Sequence, residues 1–218
     1  MIKTVAIDID DTLCLTEAAC FEMENEIMSR MGRAPILRES HIKSWGVVLQ
    51  EAIQVRSPGI DLEEFERFFS LVVKEYVAAG KLDVIPNINY QTLDNLIDMG
   101  KQIILLTSRS EMELAHMLEP DHLLAFRVHE FYHKDNIKFH KPDPRAFDEM
   151  LSNNSLLPKE CVYIGDSVGD AAAACGAGLH FIASLESGIR NKDDFSKYNV
   201  EAFVEKFSDI VDVISGLK

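Results

Sequence analysis

The chain has 218 residues, 47% of them hydrophobic and 27% charged, with a formal net charge of −14. That is the balance of a globular protein long enough to bury a real core, as one large domain or two modest ones. The charge argues against nucleic acid as a partner, since phosphate backbones need clustered Lys and Arg. No apolar run approaches the roughly 20 residues of a membrane span.

The opening "MIKTVAIDID" reaches acidic residues too early to hold an apolar signal segment, and a cytoplasmic protein is expected. The first strand is "TVAIDI", apolar nearly throughout and rich in β-branched residues, as a strand buried on both faces reads. From about 15 to 82 the pattern turns helical. A first helix starts near Thr16 and is ended by Gly32. Ile42, Trp45, Leu49 and Ile53 step at helical intervals up to "SPG" (57–59). Asp61 with Glu64 makes an N-terminal capping signal. Leu62, Phe65, Phe69, Val72 and Tyr76 then form one apolar stripe, stopped by Gly80.

Strands and helices alternate in the remainder. "NYQTLDNLIDMG" reads as a helix stopped by Gly100. "QIILLTS" (102–108), "ECVYIGDS" (160–167) and "GLHFIAS" (178–184) read as strands, and "AFRVHEF" (125–131) as a weaker one. "DPRAFDEMLSNNS" reads as a helix after a proline-bounded turn. This alternation predicts an α/β core with a parallel sheet. The expected domains are a core of 1–14 and 83–218, and an all-helical insert of 15–82.

Cys14, Cys20, Cys161 and Cys175 form no CxxC pair, so they suggest neither a disulfide framework nor a cysteine-only zinc site. "HEFYH" (129–133) matches H-E-x-x-H, which needs both histidines one helical turn apart. On a strand, His129 and His133 stand about 13 Å apart at roughly 3.3 Å per residue, too far to share a zinc ion.

Chemistry concentrates at the expected strand ends, where parallel sheets gather reactive groups. Asp8, Asp10 and Thr12 follow the first strand. Thr107 and Ser108 end the second. "FHKPDP" places Lys141 between a strand and a helix, and "YIGDSVGD" places Asp166 and Asp170 after a later strand. Clustered carboxylates without His or Cys suit a hard, oxygen-seeking ion, with Mg2+ the natural candidate. Such an ion offsets their mutual repulsion and lets an acidic protein hold an anionic substrate. An ionised Asp8 can then attack phosphorus and form an aspartyl-phosphate. A second carboxyl two residues on, Asp10, can protonate the leaving oxygen and later activate water. The Thr107 hydroxyl and the Lys141 ammonium can hold the transferring oxygens.

Four motifs in order, "DIDDTL", "ILLTS", "KPDP" and "GDSVGD" with its "AAACGAG" continuation, resemble the haloacid dehalogenase (HAD) superfamily of phosphatases. The resemblance implies a Rossmann-like parallel core. It implies Asp8 as nucleophile and Asp10 as general acid/base, with Thr107, Ser108 and Lys141 binding the phosphoryl group. It also implies Mg2+ held by the Asp8 carboxylate, the Asp10 backbone carbonyl and the Asp166 carboxylate, with Asp170 and Thr12 in support. Most relatives carry glycine where this chain has Asp11, so Asp11 is read as a turn residue. A helical insert straight after the first motif resembles the group with a small mobile cap, which includes phosphoglycolate phosphatases and β-phosphoglucomutases. A carboxylate at Asp10 favours phosphoester chemistry over the dehalogenases and phosphonatases.

The expected function is thus a Mg2+-dependent phosphomonoesterase acting on a small phosphorylated metabolite. A phosphomutase of the same subgroup and a non-catalytic phosphate-binding regulatory module are the alternatives. Trp45, with Arg38, His41 and Lys43 nearby, either lines the substrate face of the cap or sits in the cap core with its basic neighbours in water. Arg109 either touches substrate or begins a solvated helix. Substrate identity and oligomeric state carry no signal in the sequence.

Overall fold

The computed structural model describes residues 1–45 and 49–217. The chain divides into two compact units, one of Met1–Cys14 with Ile85–Lys218 and the other of Leu15–Val84.

The first unit is built on a parallel sheet of β1 (Thr4–Ile7), β2 (Gln102–Leu106), β3 (Glu130–Tyr132), β4 (Cys161–Gly165), β5 (His180–Ser184) and β6 (Ala202–Val204). The strand order is β3-β2-β1-β4-β5-β6, the doubly wound order whose direction reverses beside β1. β1 is central, paired with β2 on one side and β4 on the other. That position explains its unbroken apolar run, because both of its faces are covered. Alternation divides the side chains between two cores. Val5, Ile7, Ile103, Leu105, Val162, Ile164 and Ile182 face one. Ala6, Ile104, Leu106, Cys161, Tyr163, Phe181 and Ala183 face the other.

Helix α5 (Asn87–Asp98) precedes β2 and is followed by Gly100 at φ +75°, a left-handed stop that glycine adopts without strain. Helix α6 (Glu111–Leu114) follows β2, and α7 (Asp148–Asn153) follows a 3-10 turn at Pro144–Phe147. Helix α8 (Val168–Ala177) follows β4, and α9 (Ile210–Gly216) closes the described chain. A Cβ added at Gly176 of α8 would lie 2.4 Å from Pro144 Cγ. Gly176→Ala is therefore expected to destabilise the protein by about 1–3 kcal/mol through overpacking. A denaturant melt checks this, and an unchanged midpoint would contradict the close approach.

Two readings of this unit need correction. "AFRVHEF" is not a strand over 125–131. Residues 125–129 lie outside the ladder and β3 begins only at Glu130. β6 was not foreseen, since Ala202–Val204 is too short to show a period. The H-E-x-x-H segment does run along a strand, with His129 before β3 and His133 after it.

The second unit holds α1 (Thr16–Arg30), α2 (Arg38–Lys43), α3 (Leu49–Arg56) and α4 (Leu62–Ala78). The α4 N-cap is Asp61, whose side chain accepts from Glu64 N–H at 3.0 Å. Its apolar stripe packs with α1 around Met23, Ile27, Met28, Phe65 and Val72. The spacing from Ile42 to Ile53 predicted one helix. Instead α2 ends at Lys43, Ser44 and Trp45 form a turn, and α3 begins at Leu49. The part of that expected helix at 46–48 lies outside the described residues.

This unit also buries charge. His41 is fully buried, so it is not a solvated neighbour of Trp45. Its Nδ1 lies 2.6 Å from Glu17 Oε1, and Arg38 grips the same carboxylate with two nitrogens. The Arg56 guanidinium is bound to both oxygens of Glu24 at 2.5 and 2.7 Å, and Nε donates to Ser44 Oγ at 2.8 Å.

No helix among the described residues is long and apolar enough to cross a membrane. All four cysteines are free thiols, with Cys14 and Cys161 buried. Burial pushes the Cys161 thiol up to about 12, which makes it inert.

Candidate active site

β1, β2 and β4 are adjacent and parallel, so their carboxyl ends open at one place. Asp8 directly follows β1, with its N–H donating to the Ile164 carbonyl at 2.9 Å. By alternation its side chain shares a face with Ala6. The chain then doubles back. Leu13 and Cys14 N–H both donate to the Ile9 carbonyl, at 3.0 and 2.9 Å. Asp11 sits in this turn at φ 54°, a left-handed conformation that aspartate tolerates better than most residues. Thr12 is buried beside it, and its Oγ1 has no hydrogen-bond partner.

Lys141 is the hub. Its Nζ donates to Asp8 Oδ1 at 2.9 Å, Asp170 Oδ1 at 2.6 Å and the Tyr163 hydroxyl at 2.9 Å. Burial works against the ammonium, but the carboxylates of Asp170 and Asp8 outweigh it and hold its pKa well above the lysine value. Asp170 is placed by the start of α8. Ser167 caps that helix, accepting from Asp170 N–H, while Asp170 Oδ2 accepts from Ser167 N–H and Oγ at 2.9 and 2.6 Å. The cap is Ser167, and Asp170 joins the capping box to the lysine. Gly165 makes room for it, because a Cβ there would lie 2.6 Å from the Asp170 side chain.

Asp8, Asp166 and Asp170 each offer a carboxylate oxygen, all within 4.8 Å of one another. Burial, with the negative charges of Asp170, Asp8 and Asp11, raises Asp166 to about 9. Asp8 is raised to about 7, by burial first, against the pull of Lys141. One lysine therefore does not neutralise the group. A donor set of buried oxygens with surplus negative charge fits a hard divalent cation.

Asp10 is half-exposed and held by Arg109, whose Nη2 and Nε lie 2.5 and 3.0 Å from its two oxygens. The sequence left Arg109 open between a substrate contact and a solvated helix start, and here it grips the expected acid/base. The α6 cap is Ser110. Thr107 is buried just beyond β2, its N–H donating to the Tyr132 carbonyl at 3.0 Å, whereas Ser108 is exposed. Direct bonds thus join Asp8, Lys141 and Asp170, and Asp166 lies in their cluster. Asp10 is tied to Arg109, and Thr107 stands at the neighbouring strand end. Tyr163 is the residue sequence reasoning missed. Its only signal is period two along β4, which sets it on the same face as Gly165.

The raised carboxyls make a prediction about stability. Both folded values lie above the ordinary 3.8, so the folded state retains protons that the unfolded chain has lost. Without a cation, stability must fall as pH rises from about 4 through 7 towards 9. A divalent cation such as Mg2+ bound to the ionised carboxylates would offset this, so its stabilisation should grow with pH. Thermal melts with chelator or with Mg2+, at about pH 5 and about pH 8.5, read this directly. A Mg2+ shift of equal size at both pH values would contradict the carboxylate site.

A doubly wound α/β core, with a carboxylate–lysine site at its central strand ends and a helical unit inserted after its first strand, defines the class of protein. The family model for haloacid dehalogenase-like hydrolases matches residues 5–184, and the chain belongs to that family. A phosphoglycolate phosphatase of Aliivibrio fischeri is 25% identical over 223 residues, covering 98% of this chain and 97% of the relative. Pyrophosphatase PpaX of Bacillus velezensis is 30% identical over 129 residues, covering 59% of this chain and 58% of the relative. Among solved structures, a candidate β-phosphoglucomutase from Thermotoga maritima superposes with a TM-score of 0.81 at 20% identity, over the whole of both chains. CbbY from Rhodobacter sphaeroides, solved with phosphate, gives 0.70 at 18% identity and covers 96% of each chain. These two likenesses concern the fold.

Proposed function

We propose that the chain is a Mg2+-dependent phosphomonoesterase that hydrolyses a small phosphorylated metabolite through an aspartyl-phosphate on Asp8. The observation that carries this reading is the buried Asp8–Lys141–Asp170 chain, joined with Asp166 in one carboxylate cluster. Its support is the family membership and the kinship to phosphoglycolate phosphatases. Phosphoglycolate is accordingly the first substrate to try.

Asp8 and Asp166, with the Asp10 backbone carbonyl, would hold Mg2+, which supplies positive charge to the phosphoryl oxygens and keeps Asp8 ionised. Asp8 Oδ attacks phosphorus, and the bond to the leaving oxygen breaks as Asp10 gives that oxygen its proton. Asp10 then takes a proton from water, whose oxygen attacks phosphorus and releases inorganic phosphate and the Asp8 carboxylate. Lys141 and Thr107 hold the transferring oxygens, with Ser108 beside them. Asp170 keeps Lys141 charged and aimed, and Thr12, whose hydroxyl is buried and unpaired, supports the loop of the nucleophile. Asp11 serves the turn. Arg109, bound to both oxygens of Asp10, bears directly on the proton this carboxyl must carry. Free thiols fit a cytoplasmic enzyme.

The test is phosphate release from phosphoglycolate, sugar phosphates and nucleotides. Excess chelator should abolish it and Mg2+ should restore it. Full activity in chelator would remove the metal from the reading, and phosphate transfer within a substrate without release would make the enzyme a mutase.

A further inference from the structure

The Tyr163 hydroxyl stands in a place that packing alone does not explain. The ring fills a phenylalanine slot. It lies 4.9 Å from the Phe147 ring, edge to face, and 6.5 Å from Phe181 in a stacked pair. Its neighbours along the sheet are Ala6 and Phe181. The residue is fully buried. Phenylalanine would satisfy all of these contacts and avoid the cost of burying a hydroxyl.

The hydroxyl instead meets three polar groups. It donates to the Leu106 carbonyl at 2.9 Å, accepts from Lys141 Nζ at 2.9 Å and lies 3.3 Å from Asp170 Oδ1. An ammonium has three donors. With Asp8 and Asp170, Tyr163 completes the set and leaves Lys141 one orientation. Leu106 immediately precedes Thr107, so one hydroxyl ties the end of β2 to the lysine across the face of the sheet.

We infer that Tyr163 is a positioning residue, which fixes the Lys141 ammonium against Asp8 and holds the Leu106–Thr107 strand end in register with it. This rests on the proposed role of Lys141 at the phosphoryl group. A rigid ring between two other rings sets the hydroxyl far more closely than a flexible side chain would. Removing the hydroxyl frees one ammonium donor, and the lysine can then turn from its reactive orientation. Such a loss falls on the transition state more than on the bound substrate, so kcat suffers and KM does not.

The experiment compares wild type, Tyr163→Phe and a variant with 3-fluorotyrosine at 163, which keeps the hydroxyl as donor and acceptor. Expected are a kcat about tenfold lower in Tyr163→Phe with KM within about twofold, and a kcat close to wild type in the fluorotyrosine variant. A second readout needs no substrate. In wild type the Lys141 ammonium should give a slowly exchanging proton–nitrogen NMR signal with a cross-peak to the Tyr163 hydroxyl, assigned by its absence in Lys141→Arg. Tyr163→Phe should lose that protection. A wild-type kcat in Tyr163→Phe would overturn the inference, as would an equal loss in the fluorotyrosine variant, which keeps the hydroxyl. Should Tyr163→Phe fail to fold, the wild-type cross-peak decides, and its absence overturns the assignment. If instead wild type released no phosphate from any substrate while the cross-peak was present, the proposed function would fail and the Tyr163–Lys141 bond would stand.

Discussion

Asp8→Asn should eliminate phosphoryl transfer, with turnover at least about 10⁴-fold below wild type and no phosphoenzyme formed. The amide keeps the size and shape of the carboxylate, but its neutral oxygen is too weak a nucleophile for the proposed attack on phosphorus. It also removes a buried charge. Asp8 is raised to about 7 by burial, so its ionised form costs folding free energy when no cation is bound. Metal-free Asp8→Asn should therefore melt no lower than metal-free wild type at about pH 8, a gain in stability at the expense of function. Asp11→Asn provides the contrast. Asparagine tolerates the left-handed φ of 54° as aspartate does, and activity should stay within about threefold. Phosphate release, labelled-phosphoenzyme trapping and thermal melts measure all three. If Asp11→Asn were as damaging as Asp8→Asn, the division of roles in the loop would be wrong.

Arg56→Ala should destabilise the helical unit by about 3–5 kcal/mol. The guanidinium holds both oxygens of Glu24 and also donates to Ser44 Oγ and the Ser44 carbonyl at 3.1 Å. Glu24 is buried, so truncating Arg56 strands a carboxylate away from water. His41 offers little relief, since its Nε2 stands 3.4 Å from Glu24 Oε1 without forming a hydrogen bond. The double variant Glu24→Met with Arg56→Leu tests the cause. It removes both charges, and should recover most of the loss, because the pair contributes little net stability once its desolvation is counted. Urea unfolding of the three proteins decides the matter. A double variant as unstable as Arg56→Ala would locate the loss in packing rather than in the stranded charge.

Much of the core was legible because periodicity reports burial directly. A central parallel strand must be apolar on both faces, and "TVAI" and "QIILL" could hardly be anything else. The Asp61–Glu64 signal was equally local, since a cap needs only residues three apart. The motif residues were legible for a related reason. Loops after strands place Asp8, Thr107 and Asp166 at one edge of the sheet, whatever the rest of the chain does. β3 was started five residues too early and β6 was missed, because three-residue edge strands are held by their neighbours rather than by their own pattern.

What the sequence by itself determined, then, is where backbone hydrogen bonding and burial follow from near neighbours along the chain: the strands of the core, the longer helices, and the residue types waiting at the strand ends. Only the tertiary structure decided which charges meet. Lys141 is 133 residues from Asp8 and 29 from Asp170, and Arg109 is 99 from Asp10. The Tyr163 hydroxyl reaches a carbonyl 57 residues away. His41 and Arg38, read as plain basic residues, lie on a glutamate from another helix. The physical reason is common to all of these. An ion pair or a buried hydroxyl is stabilised by a partner in space, and no period along the chain records which partner folding brings within 3 Å.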